Sequence, residues 1–297
     1  MNRYGFDDLR RFAAALGTAC GLAPLRALAM ASHLLWFDAA GAATLGIATL
    51  PAWLEAIEGG QVDPQAAGRV VGQRSALAIF DGENGLPLLL LERAAELAIE
   101  MARETAVGLV RVDHVGPIRS AAAVVAGIAL GPMAGLVLGP NRLWSMGLPS
   151  EAGLPVVVDS GLATAVAGAG KPRGARTPAD SPKPVASRRT GSAPAIDLLD
   201  GLRLGTEVLI PAGGWLVAAV SVAAVEPLAA FHQRVAAWDG LDEAPGRLLP
   251  GAWDARRREA RTRGIAIPLP AWKSLNQWAQ RLAIEVPGPI DPQSEPA

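Results

Sequence analysis

The stretch FDAAGAATLGIATLPAWLEAIEGG, Phe37–Gly60, carries an aspartate, two spaced glycines and a small-residue turn into a proline-opened amphipathic segment. That pattern suits a loop that presents side chains from the end of one helix to the start of the next. Leu50, Trp53, Leu54 and Ile57 fall at helical spacing and give the second segment one apolar stripe. Yet no ionisable side chain lies between Asp38 and Glu55. The stretch has the frame of a site without its usual chemical groups.

Helices are expected on its N-terminal side. DDLRRFAAALGTACG has acids in its first turn and a closing glycine, and APLRALAMASHLLWFDAAG opens on Pro24 and stops at Gly41. Beyond Gly60 the pattern changes. ALAIFDGENG, Ala76–Gly85, reads as a short strand entering a tight turn. LLLLERAAELAIEMARETAVG reads as a long helix ending at Gly108, and LVRVDHVG as a β-branched strand. IRSAAAVVAGIALG is helix-compatible, whereas AGLVLGP and LPVVVDS read as buried strands. This alternation predicts a mixed α/β fold.

Ala165–Asp197 has no apolar periodicity and is rich in Gly, Pro, Ser, Arg and Lys, so it reads as a disordered linker. After it, LRLGTEVLIPAGGW is strand-like, and LVAAVSVAAVEPLAAFHQRVAAW reads as largely helical with a break at Pro227. GAWDARRREARTRG is a charged helix closed by Gly264, and PAWKSLNQWAQRLAIEVP is the last helix. The expected organisation is a helical subdomain, 1–70 with 250–290, around an α/β domain, 71–249. The linker 165–197 interrupts that domain, and C-terminal helices and a tail occupy 250–297.

Bulk properties narrow the function classes. The 297 residues are 51% hydrophobic and 19% charged, with net charge −1, so no global field draws the chain to nucleic acid or an anionic membrane. In the arginine-rich WDARRREARTRG, Asp254 and Glu259 offset part of the charge, and a solvated face is expected. The uncharged runs Ser120–Asn141 and Val208–Val225 are alanine-rich and broken by Gly and Pro. Buried helix and strand are expected there, not membrane spans. One cysteine, Cys20, excludes an internal disulfide framework, and the three distant histidines argue against zinc. The start, MNRYGFDDLRR, lacks a basic-then-apolar signal pattern, so the cytoplasm is the expected compartment.

Neither G-x-G-x-x-G after a strand, nor a P-loop, nor a G-x-S-x-G elbow occurs. The candidate groups sit at strand ends instead. His114 ends VRVDHVG, where an imidazole could donate to a substrate carbonyl or carboxylate; the alternative is a loop histidine bonded to backbone. Asp159 ends PVVVDS, where it could orient a catalytic imidazole or cap the following turn. Asn141, in GPNR, is placed for a ligand or for a plain turn.

Four blocks, in order, resemble the malate/L-lactate dehydrogenase family of NAD(P)-dependent oxidoreductases, a non-Rossmann family that includes sulfolactate and ureidoglycolate dehydrogenases and diketogulonate reductase. The family signature D-x-x-G-x-x-S-H-G-x-x-R-L-P is matched by Asp38, Gly41, Gly46, Leu50 and Pro51, and its continuation by Trp53, Gly60 and Pro64. His114-Val115-Gly116 is similar to the family's H-x-G, Val158-Asp159 to its strand end, and LLPGAWDARRREARTRGIAIPLPAWKSLNQWAQRLAIEVP to its C-terminal block.

The resemblance implies a sulfolactate-dehydrogenase-like fold, a homodimer, NAD or NADP as cofactor and a 2-oxo or 2-hydroxy acid as substrate. On an oxidoreductase reading, His114 would be the acid/base or carbonyl-polarising group, Asp159 its orienter and Asn141 a cofactor contact; no metal is expected. The departures are equally specific. The family's catalytic histidine is Leu45 here and its carboxylate-binding arginine is Thr49. Its lysine-bearing G-x-K-G-y-G is similar to Ala212–Ala219, which holds no lysine, and the proline of its Asn-Pro pair is Arg142. Leucine transfers no proton and threonine cannot clamp a carboxylate bidentately. Two functions are therefore open: a divergent oxidoreductase, or an inactive homologue serving as a binding or interaction module.

Overall fold

The computed structural model describes residues 2–168, 213–237 and 246–290. Its centre is an eight-stranded mixed sheet in the order β2-β3-β4-β8-β5-β6-β7-β9. The strands are β2 (Arg69–Arg74), β3 (Leu77–Asp81), β4 (Val107–Asp113), β5 (Met133–Leu138), β6 (Trp144–Leu148), β7 (Val156–Asp159), β8 (Trp215–Ser221) and β9 (Arg247–Leu248). Only β3 and β4 pair in parallel; every other neighbouring pair is antiparallel. The expected mixed α/β class is what the chain adopts, and no described helix is long and apolar enough to cross a membrane.

Helix α4 (Pro87–Thr105) carries β3 across to β4, and α5 (Ala122–Ala129) carries β4 across to β5; the two helices touch each other on one face of the sheet. Along β4 the residues on that face, Gly108, Val110 and Val112, are buried and the intervening ones are not, the period of two of a strand. α4 ends earlier than the sequence suggests, at Thr105 with a left-handed Ala106. Gly108 belongs to β4 instead: a Cβ there would run into the Ala98 carbonyl of α4, so glycine sets the close helix–sheet approach.

Four strands of this sheet escape the sequence reading: β2, β6, β8 and the two-residue β9. β2 is exposed and at the sheet edge, and β6 is a brief antiparallel return. β8 covers residues read above as the start of a helix. Its alanines suit either state, but β4 and β5 flank it and supply both ladders. A 3-10 turn (Val222–Ala224) follows it, and α-helix resumes in α7 (Leu228–Ala236), after Pro227. The region read as a linker from Ala165 is helical at its start, where α6 spans Ser160–Gly168. The rest of that region, through Asp197, lies outside the described residues, as does Leu202–Ala212 of the strand-like segment.

A second layer combines both ends of the chain. α1 (Phe6–Ala19) packs on α2 (Pro24–Ala39), α2 on α8 (Pro250–Thr262), and α3 (Leu50–Glu58) on α9 (Leu269–Arg281). Strand β1 (Arg3–Tyr4) pairs antiparallel with β10 (Ile265–Ala266). The Tyr4 ring stacks on Trp272 at 3.8 Å, and Trp36 meets Trp253 edge-on at 5.3 Å. Prolines at the first turns of α2, α3 and α4 fix the backbone where no intrahelical N–H bond is needed.

Candidate active site

Strand direction gathers the candidate residues at one end of the sheet. Asp81 pairs with Asp113, Val112 with Trp215, Leu138 with Leu216 and Ser145 with Asp159. So β3, β4, β5 and β7 all finish at the end where β6 and β8 begin. Carboxyl ends of strands are where open α/β sheets place ligands.

His114 follows β4 directly, with a left-handed backbone (φ 53°) that histidine tolerates better than most residues. The turn after β3 holds it: the Asn84 amide donates to the His114 carbonyl at 2.9 Å, and the Gly82 amide to that of Asp113 at 2.8 Å. The ring turns back to Asp81, with Nδ1 2.9 Å from the carboxylate Oδ1. The imidazole is otherwise open, its side chain 67% exposed. Donation from Nδ1–H to the carboxylate selects the tautomer with a lone pair on Nε2, which has no partner among the described residues.

Asp81 is itself fixed. The Glu83 amide donates to Oδ1 at 3.0 Å, and Arg69 lies 3.5 Å from Oδ2. The Glu83 amide, then His114, hold this carboxyl below the usual range. Sequence left Asp159 open between orienting the imidazole and capping a turn, and its place in the sheet is against the first. β7 stands four strands from β4, roughly 19 Å at the usual strand spacing. A signal for Asp81 was available: strands joined by one helix are commonly neighbours, as β3 and β4 are here though β4 and β5 are not, and the last residues of such a pair meet.

Asp159 is buried and serves two helix starts. Oδ1 accepts from Ser120 Oγ at 2.9 Å and from the Leu162 amide at 2.6 Å; Oδ2 accepts from the Ala121 amide at 3.2 Å and from Ser145 Oγ. Leu162 lies in the first turn of α6 and Ala121 immediately precedes α5. Burial pushes this carboxyl up, against those four donors. Of the two roles considered from sequence, the contacts are those of a cap.

In the Phe37–Gly60 loop the Asp38 carboxylate accepts the Ile47 amide at 2.7 Å. A Cβ on Gly46 would occupy the place of that carboxyl group. Asp38 and Gly46 thus form one packing unit, and burial pushes the Asp38 carboxyl up to about 7. Leu45 is only 6% exposed and joins the apolar core. The Thr49 hydroxyl donates to the Gly46 carbonyl at 2.8 Å. Two arginines not singled out from sequence also reach this loop: Arg119 Nη1 donates to the Thr44 carbonyl at 3.0 Å, and Arg256 Nη1 lies 3.4 Å from that of Ala40.

Asn141 sits on the β5–β6 turn beside Arg142, both left-handed (φ 58° and 61°) and both exposed. The turn is closed by the Gly139 amide on the Leu143 carbonyl at 2.8 Å. It shares the sheet end with His114 but does not touch it. Among the described residues, no group of three or more His, Cys, Asp and Glu side chains is placed to hold a metal ion.

Residues 4–142 match the family model described as malate/L-lactate dehydrogenase, a span that includes the Asp38–Pro51 loop, Asp81, His114 and Asn141. Over this span the chain is similar to the malate/L-lactate dehydrogenase family. No curated protein sequence matches the chain. Solved structures match nearly its whole length. Malate dehydrogenase from Entamoeba histolytica aligns with TM-score 0.76 at 17% identity, over 96% of this chain and 99% of that one. Sulfolactate dehydrogenase from Methanocaldococcus jannaschii aligns with TM-score 0.70 at 17% identity, over 95% and 98%. Delta1-piperideine-2-carboxylate reductase from Pseudomonas syringae pvar. tomato gives 0.70 at 17% identity, over 94% and 100%. The fold is therefore that of the malate and sulfolactate dehydrogenases. Within it, Leu45, the position that the resemblance gives to the family's imidazole, lies in the apolar core.

Proposed function

We propose that the protein is a nicotinamide-dependent oxidoreductase that interconverts a 2-oxo acid and its 2-hydroxy acid, with His114 as the proton-transfer group. The observation that carries this is the Asp81–His114 pair: a carboxylate fixes one ring nitrogen and leaves the other open at the sheet end where ligands collect. In the reducing direction Nε2, protonated, delivers its proton to the substrate oxygen as the carbonyl becomes a hydroxyl. In the oxidising direction it accepts that proton. Asp81 stabilises the imidazolium and holds the ring in place.

The residues at the β5–β6 turn fit a nicotinamide dinucleotide in donor chemistry. The Asn141 amide suits a carboxamide and the Arg142 guanidinium a phosphate. When bound, NADH or NADPH would supply hydride to C2 of the 2-oxo acid, and the oxidised cofactor would accept it in the reverse direction. Thermal melting with NADH and NADPH tests this reading: a bound cofactor raises Tm by mass action. No shift with either at millimolar concentration would rule it out.

One observation favours a second reading, a homologue that binds without turnover. Leu45 is packed into the core, and the Thr49 hydroxyl is turned onto the loop's own backbone. Neither can take the family's proton-transfer or carboxylate-clamping role.

The same reading carries a cytoplasmic homodimer and a helical subdomain built from 1–70 with 250–290. For the dimer, the support is the sheet face away from α4 and α5, where Leu77 and Met146 are 46% and 38% exposed. For the subdomain, it is the β1–β10 pairing and the α3–α9 contact.

A further inference from the structure

We propose that Arg119 is the substrate's carboxylate anchor, in place of the arginine that Thr49 has displaced; this rests on the 2-oxo-acid reading above. Arg119 lies five residues beyond His114, on the segment that leaves β4 and reaches Asp159 of β7 through Ser120. That segment crosses the sheet end where the candidate groups gather. Its guanidinium reaches the Phe37–Gly60 loop and spends Nη1 on the Thr44 carbonyl. Thr44 adjoins Leu45, the position from which the family's imidazole is missing.

Three features suit Arg119 to an anion. Its side chain is exposed, and among the described residues no carboxylate pairs with it. One nitrogen is committed to Thr44, so the planar fork is oriented while Nη2 and Nε remain available, the arrangement for a bidentate carboxylate. Its backbone is locked: a Cβ on Gly161 would run into the Arg119 carbonyl, and the flanking Ile118 and Ser120 are both buried. A preorganised cation loses less entropy on binding than a free surface arginine. Arg256 is the competing cation, but it comes from α8, and its contact with Ala40 is longer.

The test uses oxamate and its neutral methyl ester, titrated calorimetrically into the full chain with and without NADH. The wild type binds oxamate in preference to the ester. Arg119→Gln loses at least tenfold in oxamate affinity and the preference with it, while Arg119→Lys restores part of both. A role confined to holding Thr44 would lower Tm without changing the ratio of acid to ester affinity. No oxamate binding by the wild type, an unchanged ratio in Arg119→Gln, or its loss in Arg256→Gln alone would each overturn the assignment. Pyruvate turnover, measured separately, distinguishes this from the parent reading. Arg119-dependent oxamate binding without turnover keeps the anchor and removes the chemistry. Turnover with the same KM in Arg119→Gln keeps the chemistry and removes the anchor.

Discussion

The Asp81 carboxylate holds the His114 imidazole, Oδ1 to Nδ1 at 2.9 Å, across the adjacent ends of two parallel strands. Thirty-three residues separate the partners in sequence, and the β3–α4–β4 crossover brings them side by side. The pair gives the site a group that can move a proton although Leu45 cannot.

Replacing Asp81 by Asn tests the pairing. The amide keeps the size but not the charge that favours imidazolium, so kcat for pyruvate reduction should fall by about tenfold or more, with KM little changed. Equal loss in KM would point to a binding role instead. The lowered pKa of Asp81 sets its pH window. The unfolded chain protonates this carboxylate at a higher pH than the folded one, so its contribution is present above the ordinary carboxylate range. It is lost as pH falls through the folded value.

Asp159 should behave as a structural residue. Asn offers one oxygen to the two hydroxyls and two amides that meet the carboxylate, which leaves at least one backbone N–H facing an NH2 group. Asp159→Asn should cost about 1–3 kcal/mol in urea unfolding, the range for one buried unsatisfied group. Activity per folded molecule should be retained. A large activity loss at unchanged stability would return Asp159 to the chemistry.

Asp38 makes stability depend on pH in the opposite sense. Its carboxyl, pushed up to about 7 by burial, binds a proton more tightly in the folded than in the unfolded chain. Its effect is absent below about pH 4 and grows unfavourable as pH rises to about 7. Asp38→Asn keeps an acceptor for the Ile47 amide and should flatten this slope, with its largest relative gain in Tm near pH 8. A parallel slope in both proteins would contradict the burial argument.

Leu45→His restores the family residue by name only. The side chain points into an apolar core, so the substitution should destabilise by about 1–3 kcal/mol without raising turnover. Increased turnover would show that the loop can re-aim this position.

Much of the fold was legible because local signals agree with it. Pro24, Pro51 and Pro87 open helices, and the period of two in LVRVDHVG marks a strand. β8 was not, because an uncharged alanine-rich run fits either state and its strand neighbours decide it. At the site, His114 could be singled out from its own strand end. Asp81 needed the further step of pairing two strands joined by a helix, and Arg119 could not be singled out, since its role comes from adjacency between distant segments. Asp159 showed the same ambiguity: a carboxylate at a strand end looks alike in sequence whether it faces a ligand or two helix starts.

The central claim is that His114 moves the proton in a nicotinamide-dependent exchange. Its most direct measurement is the rate of NADH or NADPH oxidation with a panel of 2-oxo acids, compared between wild type and His114→Ala at equal Tm. The account predicts turnover in the wild type and a loss of at least a hundredfold in kcat in the variant, the scale for removing a general acid (about 10²–10⁴). Turnover that survives His114→Ala, or a wild type that binds cofactor and oxidises none of it, would contradict it.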